Sequence, residues 1–215
     1  MSEGGNSKFM YKEVNIIFHN QGLRSYIEVD LCSACPRRDN KGCCGYYSPV
    51  FYPSDFAYLL KNQPDLLEYI INLDDITVLD ASITVNNTIE GNSYRCHFHS
   101  KERGCRLSQQ QRESVCRHFV CPGINWEKEA TLQHWKDFFI RLSDYEIMLN
   151  NSITDELKLR GLTLQDKNNR ELFFQELLAI FKEKTCIPPE FFASCPSREE
   201  VKVICEIKYG EDWPL

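Results

Sequence analysis

The stretch 32-CSACPRRDNKGCC-44 places four cysteines in thirteen residues, spaced C-x2-C-x7-C-C, and its reading decides what the first half of the chain builds. A C-x2-C pair lets two sulfurs meet one metal ion across a tight turn, as in structural zinc sites. The doublet Cys43–Cys44 is less simple, because neighbouring side chains on an extended strand point to opposite faces. Gly42 and Gly45 flank it and permit backbone dihedrals closed to other residues, so the chain can turn sharply around the pair. Three arrangements stay open. Both sulfurs turn inward, or each serves a different metal or a different edge of one cluster, or one ligates while the other packs.

A second set follows in 96-CHFHSKERGCRLSQQQRESVCRHFVC-121, spaced C-x8-C-x10-C-x4-C. The eight candidate ligands are therefore Cys32, Cys35, Cys43, Cys44, Cys96, Cys105, Cys116 and Cys121. Thiolates are soft donors that suit zinc, copper(I) or iron–sulfur clusters. Free cysteine also serves as a small buried hydrophobe. Cys35, Cys43, Cys105 and Cys116, however, lie among Gly, Pro, Arg and Lys and not on a periodic apolar face. Of the remaining three, Cys205 reads as core, and Cys186 and Cys195 sit in loops and are not assigned as ligands.

Between Arg95 and Arg117 six basic residues face two acidic ones, although the whole chain carries a net charge of −6. A four-thiolate site keeps negative charge after binding zinc or a cluster, and nearby guanidinium groups stabilise it. Arg112 and Arg117, on either side of Cys116, are the candidates for that role; the alternative is ordinary solvated charge. His97 and His99 would share one strand face, away from Cys96, in a hydrogen-bonded surface role. His118, between Cys116 and Cys121, is the better placed outside ligand.

The chain has 215 residues, 42% of them apolar and 12% aromatic, enough for a proper core without disulfides. Its acidic balance argues against nucleic acid or anionic membrane as the main partner. The opening MSEGGNSKFMYKEV has no apolar run after a basic start, and no window reaches membrane-spanning length. The chain reads as soluble and cytoplasmic. In a reducing compartment, eleven cysteines point to metal or catalysis before disulfides.

The expected fold class is α+β. Residues 14–31 read as two β runs joined at 20-NQG-22. Residues 54–62 and 64–72 read as short helices, the first capped by Ser54 and the second begun by Pro64. ITVL, SITV and YRCHF read as strands, with NNTIEGN as a turn. After residue 125 the period changes. Leu132, Trp135, Phe139, Leu142, Tyr145 and Met148 mark one helix face. Phe174, Leu177, Leu178 and Phe181 mark another, behind a cap from Asn168 and Glu171. A last short helix is expected from Ser197, burying Val201, Ile204 and Cys205. The expected division is thus 1–125, a cysteine-rich metal-binding domain of short strands and helices, and 126–215, an all-helical part. The latter would serve as a lid, a dimerisation surface or a platform for a protein partner. Its Trp126, Trp135, Phe138 and Phe139 read as core.

The two cysteine sets, in this order, resemble the YkgJ-type cysteine-cluster family, described as zinc- or iron-chelating domains. The resemblance rests on Cys32, Cys35, the Cys43–Cys44 doublet and the PSDFAYLL segment around Asp55. It continues through Cys96 with Phe98, 104-GC-105, and R-x3-C-R-x3-C from Arg112 to Cys121, covering roughly residues 30–122. The chain departs from the family pattern in a longer gap before the doublet and in Arg112-Glu113 where Arg-Pro is usual. The resemblance implies metal chelation by the eight cysteines. A related pattern in flagellin lysine methylases implies that such a cluster can belong to an enzyme.

The leading expectation is a metal-binding protein with a redox, sensing or docking role. The alternative is a cluster-containing enzyme of the lysine methylase-like kind, although the chain lacks a G-x-G-x-x-G loop after a predicted strand, a nucleophile elbow and H-E-x-x-H. No catalytic residue is assigned. A zinc-scaffolded nucleic-acid binder using Arg37, Arg38 and Lys41 ranks last, because residues 32–121 hold ten basic and ten acidic residues. The cofactor is an iron–sulfur cluster or zinc. Cys35-Pro36 and Cys121-Pro122 resemble the Cys-Pro step of ferredoxin ligand runs, whereas two four-thiol zinc sites would account for all eight sulfurs.

Overall fold

A computed structural model describes residues 10–36, 42–102 and 104–214. Arg37, Arg38, Lys41 and Arg103 lie outside the described residues. In chain order the elements are β1 (Met10–His19), β2 (Tyr26–Val29), β3 (Val50–Phe51), α1 (Pro53–Asn62), α2 (Pro64–Ile71), β4 (Ile76–Val78) and β5 (Ile83–Val85). There follow β6 (Thr88–Glu90), β7 (Ser93–Arg95), β8 (His99–Ser100), β9 (Gly104–Cys105), α3 (Ser114–His118), α4 (Gln133–Leu159), α5 (Arg170–Lys184) and β10 (Arg198–Ile207).

The expected first hairpin forms. β1 buries Val14, Ile16 and Phe18 at alternate positions and pairs antiparallel with β2. The Ser25 hydroxyl closes the connection, accepting from the Gln21 amide at 2.8 Å and donating to the Gly22 carbonyl at 2.6 Å. Both short helices also form, and Pro64 begins the second as expected. Ser54 is not the cap of α1. Its amide donates to Asn150 Oδ1 at 2.9 Å, and the Asp55 carboxylate accepts from the Tyr52 amide at 3.1 Å. In the third hairpin Thr88–Glu90 joins the pairing as β6, and the turn shrinks to Gly91, at φ +63°, and Asn92.

The last expected helix is a strand. β10 pairs with β1 along ten residues, Met10 opposite Ile207 and His19 opposite Arg198, to give the sheet order β10-β1-β2. Val201, Val203, Cys205 and Ile207 alternate with Glu200, Lys202, Ile204 and Glu206. Val203, Cys205 and Ile207 are buried, while Ile204 is 76% exposed. A helix would have buried Ile204 and stranded Val203. The part after residue 125 is therefore helical but not all-helical, and the β1–β10 pairing spans the expected division.

Two apolar cores result, and α4 threads both. Its first half places Trp135, Phe138, Phe139 and Leu142 on the sheet, beside Val14, Ile16, Phe18, Val203 and Trp213. Phe18 is the hub, with ring centres 4.9 Å from both Trp126 and Trp135. The second half places Leu149, Ile153 and Leu157 against α1, α2, α5 and the small sheet β3-β5-β4. A straight helix brings residue 149 under residue 142 after two turns, so Leu149 is buried and the expected Met148 is 62% exposed. In α5 the buried face is Phe173, Phe174, Leu177 and Ile180, with Leu178 at its edge.

Candidate metal centre

The cysteines sit on short, sharply bent pieces between these cores. Cys32 rides a 3-10 turn, Asp30–Ala34, that leaves β2 directly. The doublet occupies a second 3-10 turn, Gly42–Gly45, closed by the Tyr46 amide donating to the Cys43 carbonyl at 3.1 Å. Gly42 takes φ +50°, which a side chain would strain, and a Cβ there would meet Cys35 Sγ at 3.5 Å. Cys35 of the first pair thus lies against the residue that precedes the doublet. Gly45 is buried and has no such φ.

The second set is brought up by backbone bonds. The Cys96 amide donates to the Cys44 carbonyl at 2.7 Å. The β8–β9 pairing sets Cys105 opposite His99. Cys116 lies in α3, whose N-terminus is capped by Glu113: its carboxylate accepts from the Val115 and Cys116 amides, each at 2.8 Å. Cys121 follows α3 and receives a hydrogen bond from Trp213 Nε1 at 2.9 Å. The Trp213 ring lies so close to Gly123 that a Cβ there would come within 2.5 Å of it. The Gly210 amide donates to the Pro36 carbonyl at 2.9 Å, so one segment touches both Pro36 and Cys121.

All eleven cysteines are thiols, none of them in a disulfide. Burial, then the neighbouring Cys43, pushes Cys32 up to about 11 although the residue reaches the surface. Burial likewise raises Cys96 to about 11 and lifts Cys116 and Cys121. Within the doublet, the hydrogen bond with Cys44 lowers Cys43 to about 7, helped by Arg112, and Cys44 is raised in return. Arg112 pulls Cys32 and Cys43 down, against the burial that raises both. Among the described residues no group of three or more Cys, His, Asp or Glu stands close enough to hold a metal ion as positioned. The donor set, thiols most of which burial holds protonated, fits a soft cation that would cancel the repulsion between thiolates.

Arg117 is used elsewhere. It is fully buried, donates to the Leu23 and Ser25 carbonyls at 3.0 and 2.9 Å, and pairs with Glu146 at 2.5 Å. Arg24 pairs with Asp55 at 2.8 Å and donates to the Gln110 and Arg112 carbonyls. Together the two arginines clamp the first hairpin to α1, α4 and the segment entering α3. The histidines divide similarly. His97 bonds the Tyr69 hydroxyl at 2.7 Å, whereas His99 is buried, so the two do not share an outward face. His118 packs against Arg117 and Ser143, and burial, then the charges of Arg117 and Arg24, holds it neutral.

Comparison with known proteins yields no match to any family model, curated protein or solved structure.

Sequence reading missed Glu113, Glu146 and Trp213. Glu113 is visible as an acidic residue before a short helix; the other two act through partners far along the chain and leave no local signal. A groove of about 1260 Å³ runs beside α4 and is lined by Cys121, His118, Glu146 and Asn150 among others. Among the described residues no helix is long and apolar enough to cross a membrane.

Burial, first of all, pushes Glu113 up to about 7 from a usual 4.5. Between those values the folded protein holds a proton that the unfolded chain has lost, so this group makes stability fall as pH rises. Glu113→Gln should remove that fall. In urea unfolding with chelator present, the stability of the variant relative to wild type should grow from pH 4.5 to pH 7, by up to about 1.4 kcal/mol per pH unit. A constant difference would mean that Glu113 titrates normally.

Proposed function

We propose that this chain is a metal-binding protein that holds zinc or an iron–sulfur cluster through Cys32, Cys35, Cys43, Cys44, Cys96, Cys105, Cys116 and Cys121, with a redox, sensing or docking role. The observation that carries the reading is the meeting of the two cysteine sets at the Gly42–Gly45 turn, where Cys35 lies against Gly42 and the Cys96 amide donates to the Cys44 carbonyl. Random burial of small hydrophobes would not bring two distant sets of thiols to one turn. The YkgJ-type pattern supports the same reading. Loading would draw the sulfurs inward and release their protons. Arg112 would offset thiolate charge, and the Trp213 N–H would hold the Cys121 sulfur in place. When bound, zinc would cross-link the segments, whereas an iron–sulfur cluster would supply one-electron chemistry.

The test is protein purified without oxygen, with metal content and a visible spectrum taken on one sample. Bound zinc, or iron with acid-labile sulfide, is expected, and a strong chelator should lower the denaturation midpoint. Folded protein with neither metal and no response to chelator would sink the proposal.

The groove that reaches Cys121 favours a second reading, an enzyme of the lysine methylase-like kind acting beside the metal. A methyl-donor cofactor that raises the melting midpoint would support it. No shift would leave the first reading alone.

A further inference from the structure

The spacing in sequence suggests one site per set, the first from Cys32 to Cys44 and the second from Cys96 to Cys121. The packing sorts the sulfurs differently. Cys35 lies against Gly42, next to Cys43. Cys121 is drawn to that same side by the segment that bonds both its sulfur, through Trp213, and Pro36, through Gly210. Cys32 precedes Cys35 on the turn that leaves β2, at the C-x2-C spacing. On the other side, the Cys44 carbonyl holds the Cys96 amide, and β8–β9 sets Cys105 opposite His99, three residues beyond Cys96. Cys116, in α3, is the remaining thiol of the second set.

We infer that the thiols form two separate four-sulfur sites that trade one cysteine between the sequence sets: Cys32, Cys35, Cys43 and Cys121 in one, Cys44, Cys96, Cys105 and Cys116 in the other. This rests on the metal-binding reading. The doublet then delivers adjacent sulfurs to different ions, one of the three arrangements that its sequence leaves open. It also explains why a segment more than eighty residues away fastens Cys121: without that fastening the first site would lack its fourth sulfur.

The test is cobalt(II) titration of chelator-treated full-length protein, following the thiolate-to-cobalt absorption and counting bound ions by native mass spectrometry. Wild type should bind two ions. Cys35→Ser and Cys121→Ser should each lose one ion, and the double variant should still lose only one, because both belong to one site. Cys105→Ser combined with Cys121→Ser should lose both. Sites that followed the sequence sets would reverse the two double-variant results and overturn the inference. So would a single joint cluster, in which any one substitution removes all the metal. Cys35→Ser/Cys121→Ser decides the matter alone if Cys105→Ser fails to fold, since Cys35 is exposed. Wild type that binds no cobalt, zinc or iron at all would instead defeat the metal reading itself.

Discussion

Arg117→Met should destabilise the protein by about 3–5 kcal/mol, the range for removing one partner of a buried ion pair. The Arg117 guanidinium is fully buried, and its removal leaves the Glu146 carboxylate, 2% exposed, with no counter-charge at 2.5 Å. The Leu23 and Ser25 carbonyls lose their donors in the same step. Burial already raises Glu146, against the pull of Arg117, so without the guanidinium the carboxyl will take up a proton. The loss should therefore be smaller at pH 5 than at pH 8. Arg117→Met combined with Glu146→Leu should recover more than half of it, because a buried pair replaced by apolar groups of similar size is often neutral. Urea unfolding of the four proteins gives the coupling directly. A single-variant loss under about 1 kcal/mol, independent of pH, would mean that the pair is not ionised. α3 carries both Arg117 and Cys116, so the single variant should also retain metal less well.

Trp213→Ala should cost a similar amount, about 3–5 kcal/mol, by opening a large cavity in the sheet core. The side chain is 1% exposed and packs on Gly123. Trp213→Phe separates that packing from the hydrogen bond to Cys121. Its ring fills most of the space, and the lost N–H should cost about 1 kcal/mol of stability. At the metal the order of effects should differ. Both variants remove the donor to Cys121 Sγ, so both should shift the sulfur-to-metal absorption and speed the release of metal to chelator. A Phe variant with an unchanged spectrum would show that Trp213 serves packing alone.

Much of this architecture is legible in the sequence where contacts are local. Pro64 starts its helix, and Val14, Ile16 and Phe18 alternate as a half-buried strand must. β10 was misleading because Val201, Ile204 and Cys205 fit a helical step as well as Val201, Val203 and Cys205 fit alternation. What decides is β1, paired from the far end of the chain and invisible to a local window. Three further β-branched residues, Val203, Ile204 and Ile207, were the signal in favour of a strand. The same limit applies to the site. The residue types could be read from the sequence, whereas the approach of Cys96 to Cys44 and the hydrogen bond of Trp213 to Cys121 depend on partners far along the chain. Arg117 looks like Arg112 in sequence and differs in the buried partners it meets, the Glu146 carboxylate of α4 and the Leu23 and Ser25 carbonyls.

The β1–β10 pairing also governs how the chain can be made. A ribosome releases β1 early and β10 nearly two hundred residues later, a delay of roughly 10–40 s at ordinary elongation rates. Throughout that interval one edge of β1 offers unpaired backbone groups beside Val14, Ile16 and Phe18, the kind of template that recruits a stray strand. Cys44, Cys96, Cys105 and Cys116 are all synthesised before α4 begins, whereas Pro36 and Cys121 must wait for their partners Gly210 and Trp213. Nascent chains halted before residue 198 would thus lack the partners of Pro36 and Cys121 and carry a sticky edge, and chaperones would meet this protein in that form.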